Sequence, residues 1–110
     1  MQKRTKELQI TRDTKKRVAR RDAQDDWPCC VYCGLPAPMD APLAFSCAHY
    51  IARAHGGLGI EQNILTLCPR CHNEYDKTES HEKMKAYFRD YLSEKYEDWQ
   101  EQDLSYKKEN

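Results

Sequence analysis

Apolar residues recur at regular intervals in a few stretches of the chain, and the rest is polar enough for turns and solvated ends. From Leu43 to Ile51, Phe45, Cys47, His49 and Ile51 fall at alternate positions, which predicts a half-buried strand. Asn63-Ile64-Leu65-Thr66-Leu67 predicts a second strand. Pro69, just after Cys68, suits the first turn of a helix running to about residue 76. A longer helix is expected from near Ser80. Its apolar positions, Met84, Tyr87, Phe88, Tyr91, Leu92, Tyr96 and Trp99, are spaced by 3, 1, 3, 1, 4 and 3, with Lys, Glu and Asp on the other face. This stripe reads as core packing, with base stacking by its aromatics as the alternative. Upstream, residues 11–22 predict a short basic helix capped by Thr11 or Asp13, with Val18 among its few apolar contacts. Residues 23–29 read as a polar connector, Gly34 to Pro42 as a Pro-rich loop, Gly56-Gly57-Leu58-Gly59 as turn material and 107–110 as a frayed end.

Composition narrows the class. The chain has 110 residues, enough for one domain, and 33% of them are charged, which leaves a thin core in need of a staple. No apolar run approaches the roughly 20 residues of a membrane span. Met1-Gln2-Lys3-Arg4-Thr5-Lys6 leads into no apolar stretch, so no secretory signal is expected, and the expected location is cytoplasmic, in a bacterium or an infected host cell. The net charge of 0 conceals an asymmetry: residues 1–22 carry nine Lys/Arg against three Asp/Glu, a net of +6, while 23–73 and 74–110 carry −2 and −4. A basic arm on a neutral protein points to a local polyanion contact, with a solvated tail as the alternative.

Two of the six cysteines, Cys30 and Cys33, form one C-x-x-C knuckle, and Cys68 and Cys71 form another. Two knuckles can complete a tetrahedron of sulfurs around Zn2+, here closing a loop of 34 residues. Disulfides suit a secreted chain, and a redox C-x-x-C would not explain two copies. Cys29 and Cys47 read as small hydrophobes.

Between and after the knuckles lie His49, Arg53, Asn63 and His72, the last directly after Cys71. On a helix His72 and Asp76 are i and i+4, so an imidazole nitrogen and a carboxylate point to one side, where they can hold a divalent cation with positions left for phosphate and water. A histidine on an adjacent strand would then take a proton from water. Those are the parts of metal-assisted phosphodiester hydrolysis.

The stretch from Val18 to Asp76 resembles the HNH endonuclease family. The resemblance is carried by Val18 with Arg21-Asp22, the knuckle Cys30-Val31-Tyr32-Cys33-Gly34, His49-Tyr50-Ile51-x-Arg53 with Gly56-Gly57, and Asn63-Ile64-Leu65-Thr66-Leu67-Cys68-Pro69-Arg70-Cys71-His72. The C-terminal stripe with Tyr96-Glu97-Asp98-Trp99 is similar to small HNH proteins of bacteriophages and prophages. The resemblance implies an α+β, ββα-metal (His-Me finger) fold, here stapled by a four-cysteine zinc site, with a basic N-terminal helix and an amphipathic C-terminal one. It implies His49 as general base, Asn63 as the brace that orients it, His72 as ligand of a catalytic divalent ion (Mg2+, Mn2+ or Ni2+) and Asp76 as a further ligand. It also implies that Arg53 grips a phosphate. One position departs from the pattern: many members carry a ligating Asp or His before the catalytic histidine, and here that residue is Ala48.

The sequence thus predicts a basic arm over 1–22, an HNH core over 23–76 and a C-terminal helix packing on it over 77–110. The expected activity is DNA hydrolysis of low sequence specificity, with DNA as partner, no membrane, and phage packaging proteins as further candidates. The oligomeric state is not legible. The rival readings are a degenerate HNH module that binds DNA or protein without cutting, and a plain zinc-ribbon interaction domain. Without the motif, His49 would read as a core histidine, Arg53 and Asp76 as surface charges, Asn63 as a turn residue and His72 as a neighbour of the zinc knuckle. His55 and His81 read as surface residues.

Overall fold

The computed structural model describes residues 10–105. The first nine residues of the basic arm and the expected frayed end lie outside the described residues. Helix α1 spans Arg12–Arg21, and the Thr11 side chain caps it by accepting from the Thr14 backbone N–H at 3.1 Å. Of the two candidate caps, Thr11 is the one used. Val18 is fully buried and seats the helix on the domain.

The polar connector expected at 23–29 is instead a small hairpin, β1 (Ala23–Gln24) paired antiparallel with β2 (Trp27–Pro28). Asp25 and Asp26 turn it with φ of 52° and 64°. Two consecutive left-handed residues give the tight turn that matches strand twist, and Asp tolerates that region better than most residues.

Strand β3 (Ser46–His49) pairs antiparallel with β4 (Ile64–Leu67), His49 lying opposite Ile64 and Ala48 opposite Leu65. The alternation around β3 has the predicted period, but the more deeply buried face is the other one. Ala48 and Tyr50 are sealed in the core, while Phe45, Cys47, His49 and Ile51 are only half-buried. Strand β4 is buried at all four positions, because α1 packs against it as well as α2 (Pro69–Lys77). Helix α3 spans His81–Lys95 and buries Met84, Phe88 and Leu92. It stops before the last two aromatics of the stripe. Tyr96 and Trp99 reach the core from the chain beyond, where the Tyr96 hydroxyl donates to Glu61 and the Trp99 indole N–H to the Gln62 carbonyl, both at 2.9 Å. A 3-10 turn at Glu101–Leu104, not signalled by the periodicity, buries Leu104 and bridges Ser105 to Gly57.

Arg21 and Asp22 tie these layers together. The guanidinium forks onto both carboxylate oxygens of Asp22 at 2.7 and 3.0 Å and donates to the Ile64 and Glu61 carbonyls at 2.6 and 2.7 Å. Asp22 in turn accepts from the Thr66 backbone N–H at 3.0 Å and from the Tyr91 hydroxyl. Burial and this carboxylate push the Tyr91 hydroxyl well above its ordinary pKa. A bidentate pair with its remaining donors and acceptors used is the form in which a buried charge is tolerated. Arg21, counted among the cations of the arm, therefore faces inward, and Arg17 pairs with Glu61 at 2.7 Å.

Candidate active site and metal centre

The two knuckles meet as their spacing predicts. Gly34, at φ 82°, lets its N–H return to the Cys30 carbonyl at 3.0 Å, while Cys68 caps α2 and Cys71 lies in the first turn. The sulfurs of Cys30, Cys33, Cys68 and Cys71 all lie within 4.8 Å of one another, and Cys33 Sγ stands 3.7 Å from Cys68 Sγ. A tetrahedron with Zn–S bonds of about 2.3 Å has edges of about 3.8 Å, so the four fit a structural metal such as zinc. The titration of the cluster agrees with that use. Burial works to raise Cys33, but hydrogen bonds from the Leu35 backbone and the neighbouring thiols bring it down to about 7. Burial, with the other thiols, pushes Cys71 far up. A metal bound there would have to displace the Cys71 proton, since the thiolate is the ligand. Cys29 and Cys47 stand outside the cluster, and the Cys29 thiol donates to the Trp27 carbonyl at 3.2 Å.

A cavity of about 560 Å³ gathers the sequence candidates His49, Arg53, His72 and Asp76. His49 closes β3, and His72 and Asp76 come from α2. His72 Nε2 and Asp76 Oδ2 converge at 3.2 Å. Two cis ligands at about 2.1 Å from an octahedral ion stand about 3.0 Å apart, so this pair fits a hard or borderline divalent ion. Ala48 offers no donor and sits fully buried in the core cluster with Leu65 and Tyr75.

Asn63 does not line the cavity but holds its wall. Fully buried, it accepts from the Ile51 N–H at 2.8 Å and donates to the Ile51 and Leu58 carbonyls at 3.2 and 2.8 Å. Its own carbonyl accepts from the Tyr50 N–H at 2.7 Å. One side chain thereby closes the loop that follows His49 and carries Arg53. Gly57 completes the closure: a Cβ there would lie 1.7 Å from the Ile51 carbonyl oxygen and 3.0 Å from that of Ala52. Both obstacles are backbone, so Gly57→Ala must open the loop. We expect it to cost about 1–3 kcal/mol, lowering the thermal midpoint by roughly 5–20 °C in a calorimetric scan.

Sequence reasoning missed several groups on this cavity. His81, read as a surface residue, lines it and stacks on Tyr75 with ring centroids 4.4 Å apart. Its Nδ1 lies 2.7 Å from the Tyr75 carbonyl, which can only accept, so the hydrogen sits on Nδ1 and Nε2 is left for the cavity. His55, also read as surface, is exposed on the loop yet lines the same cavity. Tyr75 donates from its hydroxyl to the Tyr50 carbonyl at 2.7 Å, locking α2 to the residue after His49. Glu101 accepts from the Tyr50 hydroxyl at 2.9 Å and faces Lys85. Burial, with Glu101, pushes the Tyr50 hydroxyl up to about 12. None of these residues belongs to a spaced motif, and the helix start at Ser80 was the only signal for His81.

A β-ribbon followed by a helix, with a histidine on the first strand facing donors on the helix, defines the ββα-metal class. Residues 30–78 match the family model HNH endonuclease. That family consists in general of nucleases that act on DNA. No curated protein matches the chain. Among the described residues no helix is long and apolar enough to cross a membrane.

Proposed function

We propose that the protein is a metal-dependent DNA endonuclease of low sequence specificity. The observation that carries this reading is the convergence of His49 from β3 with the His72–Asp76 pair from α2 on one cavity, with Arg53 on its rim. His49 removes a proton from the attacking water, the water oxygen bonds to phosphorus, and the bond to the 3′-oxygen breaks. Arg53 holds a non-bridging phosphate oxygen, and Asn63 keeps Arg53 and His49 in register by fixing the loop between them. A divalent ion on His72 and Asp76 (Mg2+, Mn2+ or Ni2+) supplies charge stabilisation of the phosphoryl oxygens when bound. Zinc on the four cysteines is structural. The cations of residues 1–22 other than Arg21 add sequence-independent phosphate affinity, as an arm beside the core over 23–76 and a C-terminal segment over 77–110 that contains α3. The similarity to small phage and prophage proteins makes phage packaging proteins candidate partners.

A second reading, a degenerate module that binds DNA without cutting, draws on Ala48, which leaves two protein donors at the ion site. Supercoiled plasmid incubated with the protein and magnesium, manganese, nickel or EDTA separates the two. Nicked or linear product with at least one ion, and none with EDTA, is expected. No product with any ion, together with no second metal site by calorimetry, would give the binder reading.

A further inference from the structure

A second cavity of about 500 Å³ adjoins the first and shares His49 and Arg53 with it. Apart from Cys47 of β3, its other walls come from outside the ββα unit, chiefly Lys15 from α1 and Leu43 and Phe45 from the segment leading into β3. Among the described residues no Asp or Glu lines it, whereas the cavity of the His72–Asp76 pair includes two carboxylates and the groove at Trp99 includes Glu97, Asp98 and Asp103. Lys15 is exposed, while Arg17 and Arg21 of the same helix are engaged with Glu61 and Asp22. An all-cationic rim over an apolar floor suits one chemistry in particular. Phosphate oxygens meet Lys15 and Arg53, and the sugar and base edge lie on Leu43 and Phe45.

Resting on the nuclease reading, we infer that this groove is a DNA-backbone subsite, seating the nucleotide next to the scissile phosphate, with Lys15 as its specific phosphate contact. The strand then runs across the ridge formed by His49 and Arg53, from the ion pair on one side to α1 on the other. This also gives docked α1 a purpose that loose basic residues would not have: it fixes one cation at a set distance from the base.

The test compares wild type, Lys15→Gln and Lys16→Gln. Lys16 is also an exposed cation, one position along the helix, and does not line the groove. Gln keeps helix propensity near that of Lys, and equal melting curves confirm that both variants fold. Binding of a fluorescent 20-base-pair duplex is followed by anisotropy across a salt series without added divalent ion, and plasmid nicking is followed with the active ion. Lys15→Gln is expected to weaken binding about fivefold and to reduce the slope of log K against log salt by about one. It raises KM with kcat unchanged, because the contact is made equally in the ground and transition states. Lys16→Gln, which removes one diffuse cation of the arm, is expected to weaken binding by less than half as much as Lys15→Gln. Equal losses in both variants, or no loss in Lys15→Gln while wild type binds and cuts DNA, would overturn the subsite and leave the nuclease reading standing. A wild type that neither binds nor cuts DNA would remove both.

Discussion

His49→Ala is expected to slow plasmid cutting about 10²–10⁴-fold while leaving DNA affinity and metal content nearly unchanged. The expectation follows from where the residue sits. His49 ends β3 on the half-buried side of the ribbon and lines the cavity that His72 and Asp76 enter from α2, so it meets the reacting phosphate from the strand side. A base acts only in the chemical step, and its loss lowers kcat with KM preserved. His72→Ala should behave differently. Removing one of the two donors that converge at 3.2 Å weakens ion affinity, so activity falls but rises again with manganese concentration. Because His72 directly follows Cys71, zinc content must be measured alongside, and it should stay at the wild-type level in both variants. Nicking rate against ion concentration separates the roles: a lowered plateau for His49→Ala, a shifted midpoint for His72→Ala. Normal cutting by His49→Ala would remove the assignment of the base even if the protein proves to be a nuclease.

What the sequence made legible was whatever rests on short-range spacing. The i, i+4 relation of His72 and Asp76 survives as a 3.2 Å contact, and the two C-x-x-C knuckles survive as one cluster, because a helix turn and a knuckle are local geometries. Strand β4 was legible because it is apolar at nearly every position. The face of β3 was not, since Phe45, Cys47 and Ile51 are more apolar as a set than the single pair Ala48 and Tyr50. Helices α2 and α3 decide which side is sealed, and no pattern within β3 encodes their approach. The end of α3 failed for a related reason. Tyr96 and Trp99 keep helical spacing with Leu92, yet their hydroxyl and N–H are taken by Glu61 and Gln62, tertiary partners that pull the chain out of the helix. His81 reaches the cavity by packing on Tyr75, Glu101 through Tyr50, and Arg21 turns inward to the Glu61 and Ile64 carbonyls. None of these placements has a signature in the apolar pattern.

The other large effect is expected from the cysteine cluster. Cys30→Ser, or removal of the metal by a strong chelator, should abolish both the zinc, one per chain in the intact protein, and the cooperative unfolding transition. Cys30 belongs to the knuckle whose neighbour Val31 donates its N–H to the Thr66 carbonyl at 2.9 Å, while Cys68 and Cys71 open α2. A metal on the four cysteines would therefore join the N-terminal knuckle, β4 and the helix that carries His72. Apparent binding energies of structural zinc reach about 10–16 kcal/mol in isolated fingers, more than the whole stability of a typical small domain. With the ion gone, mutually repelling or reprotonated thiols occupy a site that is otherwise buried at Cys30, Cys68 and Cys71. The buried strand next to it loses its anchor. Cys29→Ser and Cys47→Ser are the controls: Cys29 Sγ only donates to the Trp27 carbonyl, a bond a serine hydroxyl can keep, and Cys47 stands outside the cluster. Both should retain one zinc, measured by elemental analysis, and a sharp melt. A metal-free protein whose melting curve matches that of the zinc-loaded form would show that the apolar layers around β4 hold the domain unaided.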